Sequence, residues 1–261
     1  MHRLMEIDLG MPTLLEMPDV LDCAALCGEL GLQFVELNMN LPEYQMHCID
    51  ERPIEQALSQ HGIYCTLHLD ENFNICDFNE DVRAAYLKTA LSAIALAKRK
   101  QIPIINMHLH EGVHFKLPGE KVYLFDRYAD HYAASLLAFR DACEAAIGDS
   151  GILICIENTD GFAPFAQRGI ELLLDSEAFG LTLDIGHCHC AGDVDRPFYQ
   201  AHEDRLRHMH IHDANDRTCH LPFGEGVLDI EASLQLAGDH GCRAVLEVKS
   251  LAGLRQTVKA L

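Results

Sequence analysis

Eight short apolar runs recur along this chain, each separated from the next by a longer stretch, and almost every run ends in His, Asp, Glu or Asn. The runs cover residues 4–9, 33–38, 63–68, 102–110, 152–158, 181–185, 208–213 and 244–249. The clearest intervening helix is 79–99. There Val82, Ala85, Tyr86, Thr89, Ala90, Ala93, Ile94 and Ala97 repeat at the three-four spacing of one buried face. Residues 123–147 read the same way, and Asn79 with Asp81 marks a helix start. Gly31, Gly62, Gly151, Gly180 and Gly241 precede strands, and Pro103 opens the fourth, as turn signals. Repeated strand–helix units require a parallel sheet, and a count of eight predicts closure into a single-domain α/β (β/α)8 barrel over 1–261. The 261 residues match the roughly 250 of one such barrel. An open doubly wound sheet is the alternative, but no Gly-rich phosphate loop follows the first run.

The polar run ends carry the functional signal. They are Asp8; Glu36 and Asn38; His68 and Asp70; His108 and His110; Glu157 and Asn158; Asp184 with His187; His208, His210, His212 and Asp213; and Glu247 with Lys249. In a (β/α)8 barrel such ends converge on one mouth. Side chains two apart on a strand share a face. His208, His210 and His212 therefore lie opposite Met209 and Ile211, and the apolar side should meet the helices. The same parity groups Asn106, His108 and His110, and lets Glu157 and Glu247 project inward.

Charged groups at strand ends are costly to bury unless paired or bound to metal. Glu157, Asp184, His210 and Glu247 form an oxygen-rich set with one imidazole, which suits a divalent Mn, Mg or Co, with Zn also accommodated. Adding His68 and His108 would shift the preference toward Zn. The competing reading is a buried hydrogen-bonded network without metal. The sequence His187-Cys188-His189-Cys190 also looks like a metal cluster, but only His187 fits the inward register; Cys188 and Cys190 read as small filler. Residues 112–121 form a long loop after the fourth strand, either a lid or a plain surface loop.

Charge narrows the partners. There are 40 acidic residues against 20 basic ones, a formal net charge of -20, and no tryptophan. Such a field repels phosphate backbones, so a nucleic-acid partner is not expected. The basic run Lys98-Arg99-Lys100 reads as a helix C-terminal cap. The 11 cysteines are scattered. No signal-peptide pattern opens the chain and no apolar run is long enough to span a bilayer. A cytoplasmic protein with reduced thiols is expected. The pattern is compatible with a homo-oligomer.

Several of these segments resemble a known family. Ile156-Glu157-Asn158-Thr159-Asp160-Gly161 resembles the strand-five motif of the endonuclease IV family. Leu183-Asp184-Ile185-Gly186-His187 with Ala191-Gly192 resembles its strand-six motif. His210-Ile211-His212-Asp213 and Gly224-Glu225-Gly226 resemble its strand-seven motif and following turn. The same motifs run through the xylose isomerase-like superfamily of sugar-phosphate isomerases and epimerases. For ketose 3-epimerases the resemblance implies metal ligands at Glu157, Asp184, His210 and Glu247, with the two glutamates as the acid/base pair. It implies substrate contacts at His187 and, with a one-residue shift, Arg217. For the endonuclease branch it implies a three-zinc site that adds His68, His108 or His110, His187 and His220. The chain departs from that branch at Thr218-Cys219-His220, where Asp-x-His is the pattern, and at His110-Glu111-Gly112, where His-Pro-Gly is.

The resulting expectation is a metal-dependent sugar or sugar-phosphate isomerase/epimerase that transfers a proton through a metal-bound enediolate. His68, Asn106, His108, His110, His187 and Arg217 are the expected substrate-binding residues. Lys249 reads as a strand-end partner to a carboxylate. A zinc-dependent phosphodiesterase or abasic-site endonuclease is the second reading, and a non-catalytic sugar-binding barrel the third.

Overall fold

Parallel strands close on themselves in chain order. In the computed structural model, which describes residues 7–261, the barrel strands are β1 (Leu9–Pro12), β2 (Phe34–Asn38), β3 (Tyr64–His68), β4 (Ile104–His108), β5 (Leu153–Glu157), β6 (Phe179–Asp184), β7 (Leu206–Ile211) and β8 (Arg243–Leu246). Each pairs in parallel with its chain neighbour, and β8 pairs back onto β1 through Leu9–Ala244 and Gly10–Val245. This is the single-domain (β/α)8 barrel the repeat count predicts.

The helices form where the sequence signals them. Asn79 caps Glu80–Lys100, its side-chain oxygen accepting from Asp81 N–H at 3.0 Å. Arg99 and Lys100 end that helix and pair with Glu51 at 2.6 and 2.8 Å. Gly31 and Gly62 stop the helices Val20–Leu30 and Glu51–His61 in the left-handed conformation. Two expectations need correction. Gly180 is not a turn but lies within β6. The 123–147 stretch breaks at Tyr128 (φ -111, ψ 51) into Leu124–Arg127 and Ala129–Ile147.

The first strand is also displaced. It was expected at 4–9, of which residues 4–6 lie outside the described residues, and it is found at Leu9–Pro12. Asp8 thus precedes the strand and sits at the opposite end from the mouth. There its carboxylate accepts from the Tyr64 hydroxyl at 2.7 Å, and Arg243 Nε donates to the same oxygen of Tyr64 at 3.0 Å.

Strand parity sorts the interior as expected. Met209 and Ile211 join Val35, Leu37, Leu67, Met107 and Ile156 in the core between barrel and helices. Burying each such side chain stabilises the fold by about 1.5–3 kcal/mol. His208, His210 and His212 point the other way and are fully buried. The barrel interior is accordingly polar through much of its height, with Glu36, Thr66, Asn106 and Thr182 also buried.

Helix Ile185–Cys190 and strand Thr218–Leu221 meet above the mouth, where Cys190 and Cys219 lie side by side; the other cysteines are free. No helix among the described residues is long and apolar enough to cross a membrane.

Candidate functional site

Four strand ends deliver the central residues. Glu157 is the last residue of β5 and Asp184 the last of β6; His210 lies one residue inside the end of β7, and Glu247 follows β8 directly. Their backbones are tied together. Asn158 Nδ2 donates to Asp184 O at 2.9 Å, and Asp184 N–H donates to Asn158 Oδ1 at 2.9 Å. The Tyr199 hydroxyl lies 2.9 Å from Asn158 Oδ1 and 2.6 Å from Thr182 O. Asp184 then caps the short helix Ile185–Cys190, accepting from His187 N–H at 2.7 Å. A Cβ at Gly186 would fall 1.9 Å from the His212 ring, so glycine here is what lets the imidazole reach Asp184.

The donor atoms converge. His210 Nδ1 lies 3.1 Å from Glu157 Oε1, 3.1 Å from Glu247 Oε2 and 3.9 Å from Asp184 Oδ2. One donor atom from each of these residues lies within 4.8 Å of the others. Ligands each about 2.1 Å from a shared ion sit roughly 3–4 Å apart, so the set needs little contraction to hold one. His210 Nδ1 and Glu247 Oε2 are buried and make no aligned hydrogen bond. Unpartnered buried polar atoms are costly, which a cation between them would relieve. The residues therefore fit a divalent metal.

Electrostatics agree. Burial, the largest single influence, disfavours the Glu157 and Glu247 carboxylates, but the neighbouring groups together outweigh it, His210 with His108 at Glu157 and His210 with Lys249 and His220 at Glu247; both pKa values fall well below the usual range. Burial likewise opposes a charge on His210, yet Glu157, Glu36 and Glu247 hold its pKa well above the ordinary value. Beneath it, Glu36 accepts from the Thr66 hydroxyl at 2.8 Å and from His208 Nε2 at 3.0 Å. Its other oxygen lies 2.8 Å from His210 Nε2, close but poorly aligned for a hydrogen bond. Glu36 thus favours a proton on Nε2 and leaves Nδ1 facing the carboxylates, where a metal ion would take the place of its proton.

The surrounding imidazoles are mostly committed. His68 Nδ1 faces Leu69 O at 2.7 Å and its Nε2 faces Glu157 Oε2 at 3.1 Å, so both nitrogens act as donors. Burial lowers its pKa but Glu157 raises it further, to about 9. His212 Nδ1 accepts from His220 N–H at 2.8 Å, which leaves the proton on Nε2 to bond Asp184 at 3.0 Å. His220 Nδ1 donates to Glu247 O at 3.1 Å, and its Nε2 meets His187 Nε2 at 3.3 Å. His108 Nε2 is 3.3 Å from Glu157 Oε2. His68, His108, His187 and His220 thus all reach the mouth and line its cavity of about 400 Å³.

Other expected residues land elsewhere. Asn106 is fully buried: its amide donates to Glu157 and its carbonyl accepts from Thr182 at 2.6 Å, so it positions Glu157 rather than facing a substrate. His110 lines a separate cleft with Phe78 and Phe125. Arg217 is exposed in the turn between Asn215 and Thr218 and is absent from the cavity wall. Residues 112–121 form most of the hairpin of His114–Leu117 with Glu120–Tyr123, and none of them lines the cavity. Lys249 Nζ bonds Glu247 Oε1 at 2.7 Å, the carboxylate partner the sequence indicates. Sequence reasoning missed the rim residues Asn40 and Glu71; both lie in loops beyond β2 and β3, where the two-residue alternation that found the others has ended.

The model of the xylose isomerase-like TIM barrel family matches residues 24–261. An uncharacterized protein of Methanocaldococcus jannaschii is 25% identical over 199 residues, covering 72% of this chain and 64% of that protein. The match thus spans just under two thirds of that relative's length. Among solved structures, a D-tagatose 3-epimerase-like protein has a TM-score of 0.75 at 17% identity, covering 97% of this chain and 95% of that one. The apo form of 3-keto-D-glucoside 4-epimerase from E. coli has 0.73 at 18%, covering 98% and 97%. The IOLI protein with a bound zinc atom has 0.67 at 16%, covering 97% and 93%. At these identities the structural likeness is one of fold. With the family model spanning nearly the whole sequence, the chain belongs to the xylose isomerase-like TIM barrel family.

Proposed function

We propose that this protein is a divalent-metal-dependent isomerase or epimerase of small sugars, with Glu157, Asp184, His210 and Glu247 as the metal ligands. The observation that carries the reading is the convergence of three carboxylates on the unpartnered Nδ1 of His210. The sugar epimerases and the zinc-bound protein among the structural neighbours support it. A bound divalent ion supplies Lewis-acid polarisation of a carbonyl and makes the adjacent C–H more acidic.

The chain's own residues do the rest. Glu157 and Glu247 enter the cavity from separate strands, and we assign them as the base that removes a proton and the acid that returns it. Asn106 and His68 hold Glu157 through Oε2, leaving Oε1 toward His210. Lys249 holds Glu247 through Oε1, leaving Oε2 toward the same nitrogen. Each glutamate is thus oriented by one oxygen and directed to the centre by the other. His187, at the cavity wall with Nδ1 buried and unpartnered, is assigned to a substrate hydroxyl.

A three-zinc phosphodiesterase is less well supported. The Asp-x-His pattern of the endonuclease branch is missing at Thr218-Cys219-His220, although His187, His212 and His220 lie close enough together to hold a further ion. Incubating the metal-loaded protein with ketoses in D₂O tests the proposal. Metal-dependent deuterium incorporation next to the carbonyl is the expected result; no incorporation across a broad panel would refute it.

A further inference from the structure

Single exposed apolar side chains are ordinary, but a contiguous group of them marks an interaction site. Among the described residues eleven large apolar side chains are exposed, and six of them fall in two touching segments on one side of the mouth. Phe78 and Val82 belong to the loop after β3 and the helix that follows it. Val113, Phe115, Leu117 and Tyr128 belong to the segment after β4. Phe78 joins the two: its ring centroid lies 5.5 Å from that of Phe125 and 5.6 Å from that of Tyr128. The other exposed apolar residues are spread along the chain from Leu15 to Leu261.

The hairpin of His114–Leu117 with Glu120–Tyr123 is the projecting part of this patch, and it is fixed at its base. Leu124 N–H donates to Val113 O at 2.9 Å, and a Cβ on Gly112 would fall 2.5 Å from the Phe125 ring, so the chain lies directly against that ring. Tyr123 packs on Phe165 with ring centroids 5.1 Å apart. Alternation puts His114, Lys116, Lys121 and Tyr123 on this inner side and Phe115, Leu117 and Val122 on the outer one. Phe115 is 54% exposed and Leu117 49%. A two-stranded hairpin is marginally stable by itself. A fixed arm that turns its apolar face to water is built to be covered.

Charge indicates the partner. Lys116 and Lys121 stand directly opposite each other, an unfavourable pairing unless an anionic surface lies against it. They outnumber Glu120, the one acidic residue of the hairpin, in a chain of formal net charge -20. At the foot of the same patch is a cleft of about 230 Å³ walled by Asp77, Phe78, Val82 and Tyr86, with the exposed Glu80 and Asp81 between Phe78 and Val82 in the chain. The hairpin is apolar and basic, and the cleft is apolar and acidic. Two copies of one chain therefore carry matching halves, as a two-fold interface requires. We propose that a second copy of this chain covers the patch. The hairpin of each protomer enters the cleft of the other, Phe115 and Leu117 meeting Phe78 and Val82 while Lys116 and Lys121 meet Glu80 and Asp81. The cleft begins at Asn72, next to Glu71 on the cavity wall, so the interface adjoins the mouth.

Sedimentation equilibrium of the full chain at micromolar concentration tests this. The expected result is twice the chain mass. Phe115→Asp with Leu117→Asp should raise the dimer dissociation constant at least about 30-fold, the effect of losing an interface hot spot. All the substituted positions are exposed, so the variants should fold, with circular dichroism as the control. Swapping charges identifies the contact. Lys116→Glu with Lys121→Glu, and separately Glu80→Lys with Asp81→Lys, should each weaken self-association at least about tenfold. An equimolar mixture of those two variants should dimerise as the unaltered protein does. A monomeric unaltered protein, a dimer indifferent to the hairpin substitutions, or a mixture of the swapped variants that stays monomeric overturns the proposal.

Discussion

The two ends of the barrel use polar residues in opposite ways. At the floor, Asp8, Tyr64 and Arg243 form a chain in which the phenol receives one hydrogen bond and gives another. At the mouth, Glu157, Asp184 and Glu247 crowd around His210, and buried atoms of His187, His210 and Glu247 are left without partners. Both clusters come from strand ends. The difference teaches that a matched polar group ties the fold together, whereas a convergent unmatched set inside a packed barrel is built for something the chain does not itself supply.

Replacing Glu247 by Gln should break the mouth most severely. C–H exchange should fall by roughly 10²–10⁴-fold, the usual contribution of a positioned acid or base, as read by proton NMR in D₂O. An unaffected rate would remove Glu247 from the chemistry. Next in size is Glu36→Gln beneath the centre. It should weaken metal binding by about 10–100-fold in a chelator competition, because the orienting carboxylate on His210 is lost. Unchanged affinity would make Glu36 a packing residue only. The smallest effect belongs to the floor: Tyr64→Phe should cost about 1 kcal/mol in denaturant unfolding and leave metal affinity unaltered. A loss of metal there would show that the two ends are not independent.

Much of this division is visible in the amino-acid order. Alternation assigns His208, His210 and His212 to one face, and the structure buries all of them inside the barrel. Glu157 and Asp184 fall at strand ends because apolar runs stop there. β1 is harder to see. Its sequence Leu9-Gly10-Met11-Pro12 includes glycine and proline, both weak strand formers, so the more apolar 4–9 segment looks stronger. The same shift explains why Asp8 seemed to belong to the mouth. His110 illustrates where parity fails: β4 ends at His108, and beyond it the alternation no longer applies. Arg217 and the Asn40–Glu71 pair depend on loop paths, which side-chain periodicity does not encode.

The cysteines offer a further contrast. Cys190 and Cys219 lie side by side where the helix bearing His187 meets the strand bearing His220, whereas Cys23, Cys65, Cys155 and Cys242 are buried thiols within the core. The pair lies 29 residues apart in sequence, and no local motif announces it.

Metal content, with an anomalous map of crystals grown with the bound ion, tests the centre most directly. The expected outcome is a divalent ion within about 2.0–2.3 Å of Glu157, Asp184, His210 and Glu247. A protein that retains no ion when offered Mn or Zn, or an ion held elsewhere with His210 and the carboxylates outside its reach, would contradict the account.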